Sequence, residues 1–318
     1  MNYSMSFGKL SGSLRRNVHC VLVMLGLALV GALGQGCAST QKSFATPEEA
    51  TQALVAALRA NDTAALSDIF GSEGDQIISS GDKVADQNGY ATFLERYDEK
   101  HVLVGDKESK TLQLGNSDWP FPIPLVLADK GWVFDTESGK EEILNRRIGR
   151  NELATIQVCL AAVDAQREYA MADSDNNGLH EYALRFLSEP GKKNGLYWET
   201  KEGEPASPLG AFVSKAAEEG YTRGANDNPI PYHGYYYRIL TAQGANAPGG
   251  EFDYLINGKL IGGFAIVAHP AVYGNSGVMT FIVNHQGIVY QRDLGADTAT
   301  NAKSMKAYDP GPEWKKAE

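Results

Sequence analysis

The sequence predicts an α+β fold in which helices pack on antiparallel sheets. A helical apolar pattern opens each half of the chain, and alternating strand-like segments follow it each time. Helix followed by several short strands is typical of a helix laid on one face of an antiparallel meander. A length of 318 residues allows two such regions.

Composition and charge exclude several classes of protein. Hydrophobic residues make up 43% of the chain and charged residues 21%, which is ordinary for a globular protein and excludes a disordered or collagen-like chain. The net charge is −10, from 29 basic and 39 acidic residues. Because phosphate contacts dominate nucleic-acid affinity, an acidic chain without a basic run predicts no nucleic-acid partner.

The N-terminus has the pattern of an export signal. Residues 1–20 carry Lys9, Arg15 and Arg16 and no acid, and Val21–Leu33 is an apolar run of 13 residues. A membrane-spanning helix needs about 20 apolar residues, so this length is typical of a signal peptide.

The end of the apolar run, Leu33-Gly34-Gln35-Gly36-Cys37, resembles the bacterial lipobox. The resemblance implies that residues 1–36 are a lipoprotein signal peptide. It also implies that Cys37 is acylated, with palmitate among the attached fatty acids, and that the signal is cleaved off. It also implies that Ala38 directs the protein to the outer membrane, on the periplasmic side of the cell envelope. An ordinary signal peptide or an uncleaved anchor is the alternative. Several lipid chains would hold the protein stably on the membrane.

Cleavage would leave the mature chain with a single free thiol. Cys20 would leave with the signal and Cys37 would carry lipid, so Cys159 remains without a disulfide partner. Cys159 lies in an apolar helical pattern, which predicts a buried and inert thiol.

We expect a tether over residues 37–45 and a first α+β domain over residues 46–140. Thr46-Pro47-Glu48-Glu49 is a capping box that starts a helix, and Asn61-Asp62-Thr63 starts a second one that Gly71 ends. Alternation predicts strands at His101–Val104, Thr111–Leu114, Leu125–Leu127 and Trp132–Phe134. Proline at every second position confines Trp119–Pro124 to an edge or an extended crossing.

This order of helices and then strands, ending in Gly131–Phe134, resembles the small cone of nuclear-transport-factor-2-like domains. The resemblance implies a concave face that can hold a ligand, lined by Trp119, Trp132 and Tyr90.

A charged link over Glu137–Arg150 leads to a second domain, residues 150–306. Its predicted helix runs from Asn151 to Ala172 with an apolar stripe of Leu153, Ile156, Leu160 and Val163. Further predicted elements are a helical turn at Glu181–Leu187, a short helix at Phe212–Glu219, and strands at Tyr235–Thr241, Gly263–Ala268, Val278–Asn284 and Ile288–Arg292 with a hairpin turn at His285–Gly287. The charged, proline-containing tail, residues 307–318, is predicted to be mobile.

Several segments together resemble an exported bacterial family, domain-of-unknown-function family 2950. The segments are Asn151–Glu152, Gly195–Trp198, His233–Arg238, Gly262–Ala265, Gly277–Asn284 and Gly287–Gln291. The resemblance covers most of the mature chain and implies export without implying an activity.

The second region is also similar to the globular heads of pilins and pseudopilins. The similarity rests on the helix, the Asp/Asn/Gly turn, the Gly234-Tyr235-Tyr236 strand and the Phe281–Val289 hairpin. Pilins carry a continuous apolar N-terminal assembly helix, whereas the helix here is amphipathic and follows a whole domain. The pilin route of polymerisation is therefore not implied.

One stretch has the first half of a calcium loop. Asp173, Asp175 and Asn177 alternate and Gly178 occupies the sixth position, which aims oxygen ligands at one hard cation. Leu184 stands where a bidentate glutamate belongs, and Glu181 is the candidate to compensate. The alternative is a solvated turn, since these are also turn residues. No other cofactor is indicated.

A tyrosine cluster is the remaining candidate surface. On a strand, Tyr235 and Tyr237 point to one face and Tyr236 to the other. We expect core packing on the helix, with a binding surface as the alternative.

The sequence contains no nucleophile elbow and no phosphate-binding glycine loop. We therefore expect a non-catalytic, lipid-anchored envelope protein that acts as an interaction or assembly module, with the membrane and an envelope protein as its partners. The alternative is a periplasmic small-ligand binder or hydrolase that uses a pocket in the first domain.

Overall fold

The computed structural model describes residues 41–173, 178–222 and 229–317, and it has the predicted α+β class. No helix in these ranges is both long enough and apolar enough to cross a membrane. Buried apolar side chains form two large clusters, one before residue 135 and one after residue 158, and a smaller third cluster around Tyr169 and Leu196.

The first region begins with four α-helices and one 3₁₀ turn. They are α1 (Pro47–Ala60), α2 (Thr63–Phe70), the 3₁₀ turn (Ser72–Gly74), α3 (Asp75–Ile78) and α4 (Lys83–Glu99). The predicted cap is confirmed at Thr46, whose Oγ1 accepts from Glu49 N at 3.1 Å, whereas Glu49 Oε2 accepts from Ala45 N at 3.2 Å, one residue before the position that a capping box uses. The sequence patterns did not predict α4.

An antiparallel sheet follows the helices. Its strands are β1 (His101–Gly105), β2 (Ser109–Leu114), β3 (Trp119–Pro120), β4 (Leu125–Ala128) and β5 (Gly131–Phe134), in the order β1-β2-β4-β5 with β3 paired to the end of β2. All four predicted strands are present, and the proline segment lies at the sheet end as expected.

The connection to the second region is a single helix, α5 (Thr136–Ala172), 37 residues long. The predicted charged link over Glu137–Arg150 is therefore part of a helix. The predicted helix start at Asn151 is wrong, because the helix begins at Thr136. The Glu, Lys and Arg residues of this segment are good helix formers, and Asp135 caps the helix through Ser138 N.

The apolar stripe of α5 also differs from the prediction. Leu153 is 63% exposed, whereas Thr155, Val158, Cys159 and Val163 face the core. Cys159 is fully buried, and burial raises the pKa of its thiol to about 12, as expected for an inert cysteine.

The second region is built on a five-stranded antiparallel sheet under α5. The elements are α6 (Gly210–Glu218), β6 (Tyr235–Leu240), β7 (Ala242–Gln243), β8 (Phe252–Asp253), β9 (Leu255–Ile256), β10 (Lys259–Leu260), β11 (Ala265–Pro270), β12 (Met279–Asn284), β13 (Tyr290–Asp293), α7 (Thr298–Ser304), β14 (Ala307–Tyr308) and β15 (Lys315–Lys316). The main sheet has the order β15-β13-β12-β11-β6, which includes the four predicted strands.

Two predictions for this region are corrected. Residues 181–187 form no helical turn; instead Tyr182 bridges to Leu260 and Leu187 to Tyr197. Residues 307–317 are paired rather than mobile, because β14 joins β7 and β15 joins β13. Tyr308 is fully buried and anchors the tail. The prediction of mobility rested on the charge and proline content of the tail and took no account of this side chain.

Candidate ligand-binding cavity

A cavity of about 530 Å³ lies within the first region and extends to loops of the second. Its volume is within the range of about 300–1,000 Å³ that is typical of small-molecule sites. The apolar part of its lining comes from α1, α2, α3, α4, the segment after β3 and α5: Leu54, Leu58, Leu66, Phe70, Ile77, Ile78, Phe93, Phe121 and Ile143.

One wall of the cavity is α4, which has no fully buried residue over its 17 positions. Tyr90 and Phe93 are half-buried: they pack against the first core on one side and line the cavity on the other. Tyr90 Oη donates to Ile78 O at 2.7 Å, and burial raises the pKa of Tyr90.

Aromatic rings continue from α4 to the segment after β2. Phe93 and Phe121 meet edge to face at 5.3 Å, and Trp119 lies 6.4 Å from Phe121. The guanidinium carbons of Arg96 and Arg146 lie 5.3 Å and 5.6 Å from the Trp119 ring centre. This end of the cavity is therefore aromatic and positively charged.

The start of α4 is fixed by Asp82, which is 1% exposed. Asp82 Oδ1 accepts from Ala85 N at 3.0 Å, and Oδ2 accepts from Tyr221 Oη and Gly234 N, both at 2.9 Å. Gly234 has φ +76°, and a Cβ there would lie 2.6 Å from Asn151 Nδ2, so glycine is required. The N-terminus of the cavity wall is thus tied to the second region by a satisfied buried carboxylate.

Arg147 makes a second link between the regions. Its guanidinium donates to Gln76 O at 2.6 Å, to Ile77 O at 2.7 Å and to Asn275 Oδ1, while Asn275 Nδ2 donates to Ser79 O at 2.8 Å. Burial lowers the pKa of Arg147. Since its donors are used on main-chain and amide oxygens, Arg147 has a structural role at the cavity edge.

His233 and Glu219 also line the cavity. His233 Nε2 lies 3.3 Å from Glu219 Oε2, and His233 has φ +49°, which is uncommon for a residue with a side chain. Burial lowers the pKa of His233 even though Glu219 and Asp82 act in the opposite direction. The hydroxyls of Ser80 and Thr92 both donate to main-chain carbonyls.

The structure brings together two of the three predicted lining residues. Trp119 and Tyr90 line the cavity. Trp132 does not: it is packed in the first core and its main chain pairs with Phe44. Residues that line or support the cavity and that the sequence patterns did not single out are Asp82, Arg96, Arg146 and Arg147. One pattern could have indicated the cationic side of the cavity, namely the four-residue spacing of Arg146 and Arg150, which puts both on one face of a helix. It went unused because the segment was predicted to be a charged link and not a helix.

The tyrosine cluster is divided between the core and the opposite sheet face. Tyr235 is fully buried and its Oη donates to Met279 O at 2.9 Å. Tyr237 Oη lies 3.2 Å from Thr155 Oγ1 on α5, while the Tyr236 ring lies 5.6 Å from His269. Tyr235 and Tyr237 therefore pack toward the helix, as expected, and Tyr236 faces away from it.

The proposed calcium ligands are only partly described. Asp175 and Asn177 lie outside the described residues, as does Cys37, the predicted lipidation site. Asp173 Oδ2 accepts from Gly178 N at 3.0 Å, and Glu181 Oε1 lies 3.0 Å from Lys259 Nζ. The described ranges contain no group of three or more His, Cys, Asp or Glu side chains arranged to hold a metal. Calcium binding stays a prediction.

No curated protein and no solved structure matches the chain. A family model described as "Protein of unknown function (DUF2950)" matches residues 41–317, which is most of the sequence. The chain belongs to this family.

Proposed function

We propose that this protein is an exported, lipid-anchored envelope protein that binds a small molecule in the cavity between α4 and α5. The observation that carries the proposal is the cavity of about 530 Å³ with a largely apolar lining and a small set of charged and polar groups. Such a combination is the usual form of a small-molecule site.

The energetics of apolar burial support a bound ligand. The cavity is partly open to solvent, and the rings of Tyr90, Phe93 and Trp119 that line it are half-buried. A ligand with an apolar body would cover these rings, and the removal of their surface from water favours binding. The polar network of Asp82 holds one end of the α4 wall in place, so that the site is preorganised and the cost of ordering it on binding is small.

The proposed cellular location comes from the N-terminal sequence. The signal pattern of residues 1–36 and acylation at Cys37 would place the cavity on the periplasmic side of the envelope, at the outer membrane. The similarity to nuclear-transport-factor-2-like cones favours a ligand in the first region, and the similarity to pilin heads favours an assembly role for the second.

The binding test uses the full chain carrying Cys37→Ser, which removes the proposed lipid. The probe is N-phenyl-1-naphthylamine, a neutral aromatic dye that fluoresces in apolar sites. We expect saturable binding that is lost when Ile143→Trp fills the cavity from α5 or Thr92→Trp fills it from α4. Leu153→Trp, at an exposed position of α5, is the matched control and should bind the dye normally.

Unfolding midpoints of the three tryptophan variants separate a filled cavity from a misfolded protein. If both filling variants fold and still bind the dye as the control does, binding in the cavity is ruled out.

A second candidate function is the interaction module that the sequence favours. The observation behind it is the β9–β10 hairpin, where Leu255 and Ile256 are exposed beside exposed Phe252 and Ile261. In-cell crosslinking of the intact protein, with Cys37→Ser as control, tests it. A specific envelope partner that is weakened without the lipid supports this role, and recovery of the bare protein in both cases counts against it.

A further inference from the structure

Resting on the proposed function, we infer that the cavity ligand is an amphiphile with an anionic head. Arg96 and Arg146 form the head-group subsite beside Trp119, and the aromatic and leucine walls hold the apolar body.

The two arginines converge on one ring from different helices. Arg96 lies near the end of α4 and Arg146 in the first half of α5, and both guanidinium groups lie within 5.6 Å of the Trp119 ring centre. Like charges that are brought together repel each other, and an anion bound between them would turn that repulsion into attraction. The shared ring orients both groups.

Neither arginine is neutralised inside the cavity. Arg96 has no ion pair or side-chain hydrogen bond with any residue in the described ranges. Arg146 Nε lies 2.6 Å from Glu142, which is one turn away on the same helix and half exposed. Ion pairs of that kind contribute little, so Glu142 leaves much of the charge of Arg146 available.

The acids near this end are engaged elsewhere. Each of these carboxylates has a partner other than Arg96 or Arg146: Asp98 pairs with Arg59, Asp118 pairs with Lys100, and Glu99 accepts from Asn116. The two acids that do line the cavity, Asp86 and Glu219, bind Ser80 N and His233.

Positive charge also extends along the α5 wall. Arg150 lines the same cavity one helical turn after Arg146, and its guanidinium has no partner among the described residues. An acidic chain of net charge −10 thus presents a locally cationic cavity, which favours anions over neutral ligands.

The chemistry of the ligand follows from the two parts of the lining, the guanidinium groups beside Trp119 and the apolar side chains next to them. Guanidinium groups bind carboxylate and phosphate oxygens through paired hydrogen bonds, so either head group fits. The interior next to Trp119 begins with Phe121 and Phe93 and continues to Leu54 and Leu58, which fits an acyl or aromatic body. A free inorganic anion would leave this apolar space unfilled.

The test measures displacement of N-phenyl-1-naphthylamine by three ligands with the same ten-carbon chain, namely decanoate, decyl phosphate and decanol. Inorganic phosphate is the fourth arm and separates a head group from a free anion. The full chain carrying Cys37→Ser is compared with Arg96→Gln, Arg146→Gln and the double variant. Arg59→Gln, an exposed arginine paired with Asp98, is the matched control.

We expect decanoate or decyl phosphate to bind about tenfold or more tightly than decanol, with the advantage reduced by salt. The double variant should lose about tenfold for the anions and less than about twofold for decanol and the dye. Arg59→Gln should change none of these affinities.

Equal affinity for decanol and the two anions, or equal losses for all ligands in the arginine variants, would overturn the inference while leaving cavity binding intact. Displacement by inorganic phosphate as strong as by decyl phosphate would also overturn it. Failure of the dye and of every ligand to bind would instead remove the proposed function itself.

Discussion

The two regions of the molecule use their buried space differently. In the second region all six residues of β11 are buried, and Phe281 and Ile282 of β12 are fully covered beside them. In the first region α4 covers the core with no fully buried residue and leaves a cavity. The difference indicates that stability is concentrated in the second sheet, whereas the first region is shaped to receive a ligand.

The largest expected effect is a difference in lost stability between alanine substitutions at two phenylalanines, one in each region. Phe281→Ala should destabilise the protein by about 3–5 kcal/mol, because it leaves a cavity in a closely packed core. Phe93→Ala should cost only about 1 kcal/mol, since half-buried Phe93 already borders open space. Urea unfolding of both variants measures the difference. Equal losses of stability would show that α4 is packed as tightly as the sheet.

The second prediction compares two aspartates that cap helices. Asp62→Ala removes one hydrogen bond, from Ala65 N, and should cost about 1 kcal/mol. Asp82→Ala also leaves the buried donors of Tyr221 and Gly234 without an acceptor, so we expect a loss of about 3 kcal/mol.

Chemical unfolding at pH 7 gives the stabilities of both cap variants. A cost for Asp82→Ala no larger than that for Asp62→Ala would contradict the role of Asp82 in joining the two regions.

The third prediction uses two glycines of α5. A Cβ at Gly139 would lie 2.6 Å from Pro122 O and 2.7 Å from Ile123, so Gly139→Ala should destabilise by about 2 kcal/mol. A Cβ at Gly149 meets nothing within 4 Å, so Gly149→Ala should stabilise by about 0.5–1 kcal/mol. Thermal unfolding distinguishes the two signs, and stabilisation by both variants would refute the close approach at Gly139.

The smallest expected effect concerns pH. Burial lowers the pKa of His269 in β11, so the folded state favours the neutral ring. Its contribution to stability is therefore present above about pH 6.5, the pKa of histidine in an unfolded chain, and is lost as pH falls through the folded pKa.

His269→Gln should reduce the loss of stability between pH 7 and pH 5, because the variant has one fewer buried ring to protonate. The free energy of unfolding at several pH values gives the slope. The same slope in the variant and the parent would show that His269 stays neutral or is solvated when charged.

Sequence patterns predicted the sheets better than the cavity. Strands such as β2 and β12 follow alternation and composition, which are local properties, and the cap at Thr46 is local too. α4 was missed although Tyr90, Phe93, Leu94 and Tyr97 form an apolar stripe that packs against the first core, because the first half of the helix, residues 83–89, is mostly polar. The high charge of two segments led to wrong predictions: the first half of α5 was predicted to be a link, and the tail that Tyr308 anchors was predicted to be mobile.

The candidate site depends on contacts that no spacing in the sequence reveals. Gly234 binds Asp82 across 152 positions and Arg147 binds Asn275 across 128. Trp119 and Tyr90 were predicted from their type and their region. Arg96 and Arg146 become meaningful only when two helices bring them to the same ring.

The most direct test of the central claim is a crystal structure of the full chain carrying Cys37→Ser, with decanoate bound. We expect the carboxylate to lie within hydrogen-bond distance of Arg96 and Arg146, and the alkyl chain to lie along Phe121 and Phe93. A ligand bound outside the cavity, or one with its carboxylate turned away from both arginines, would contradict the central claim.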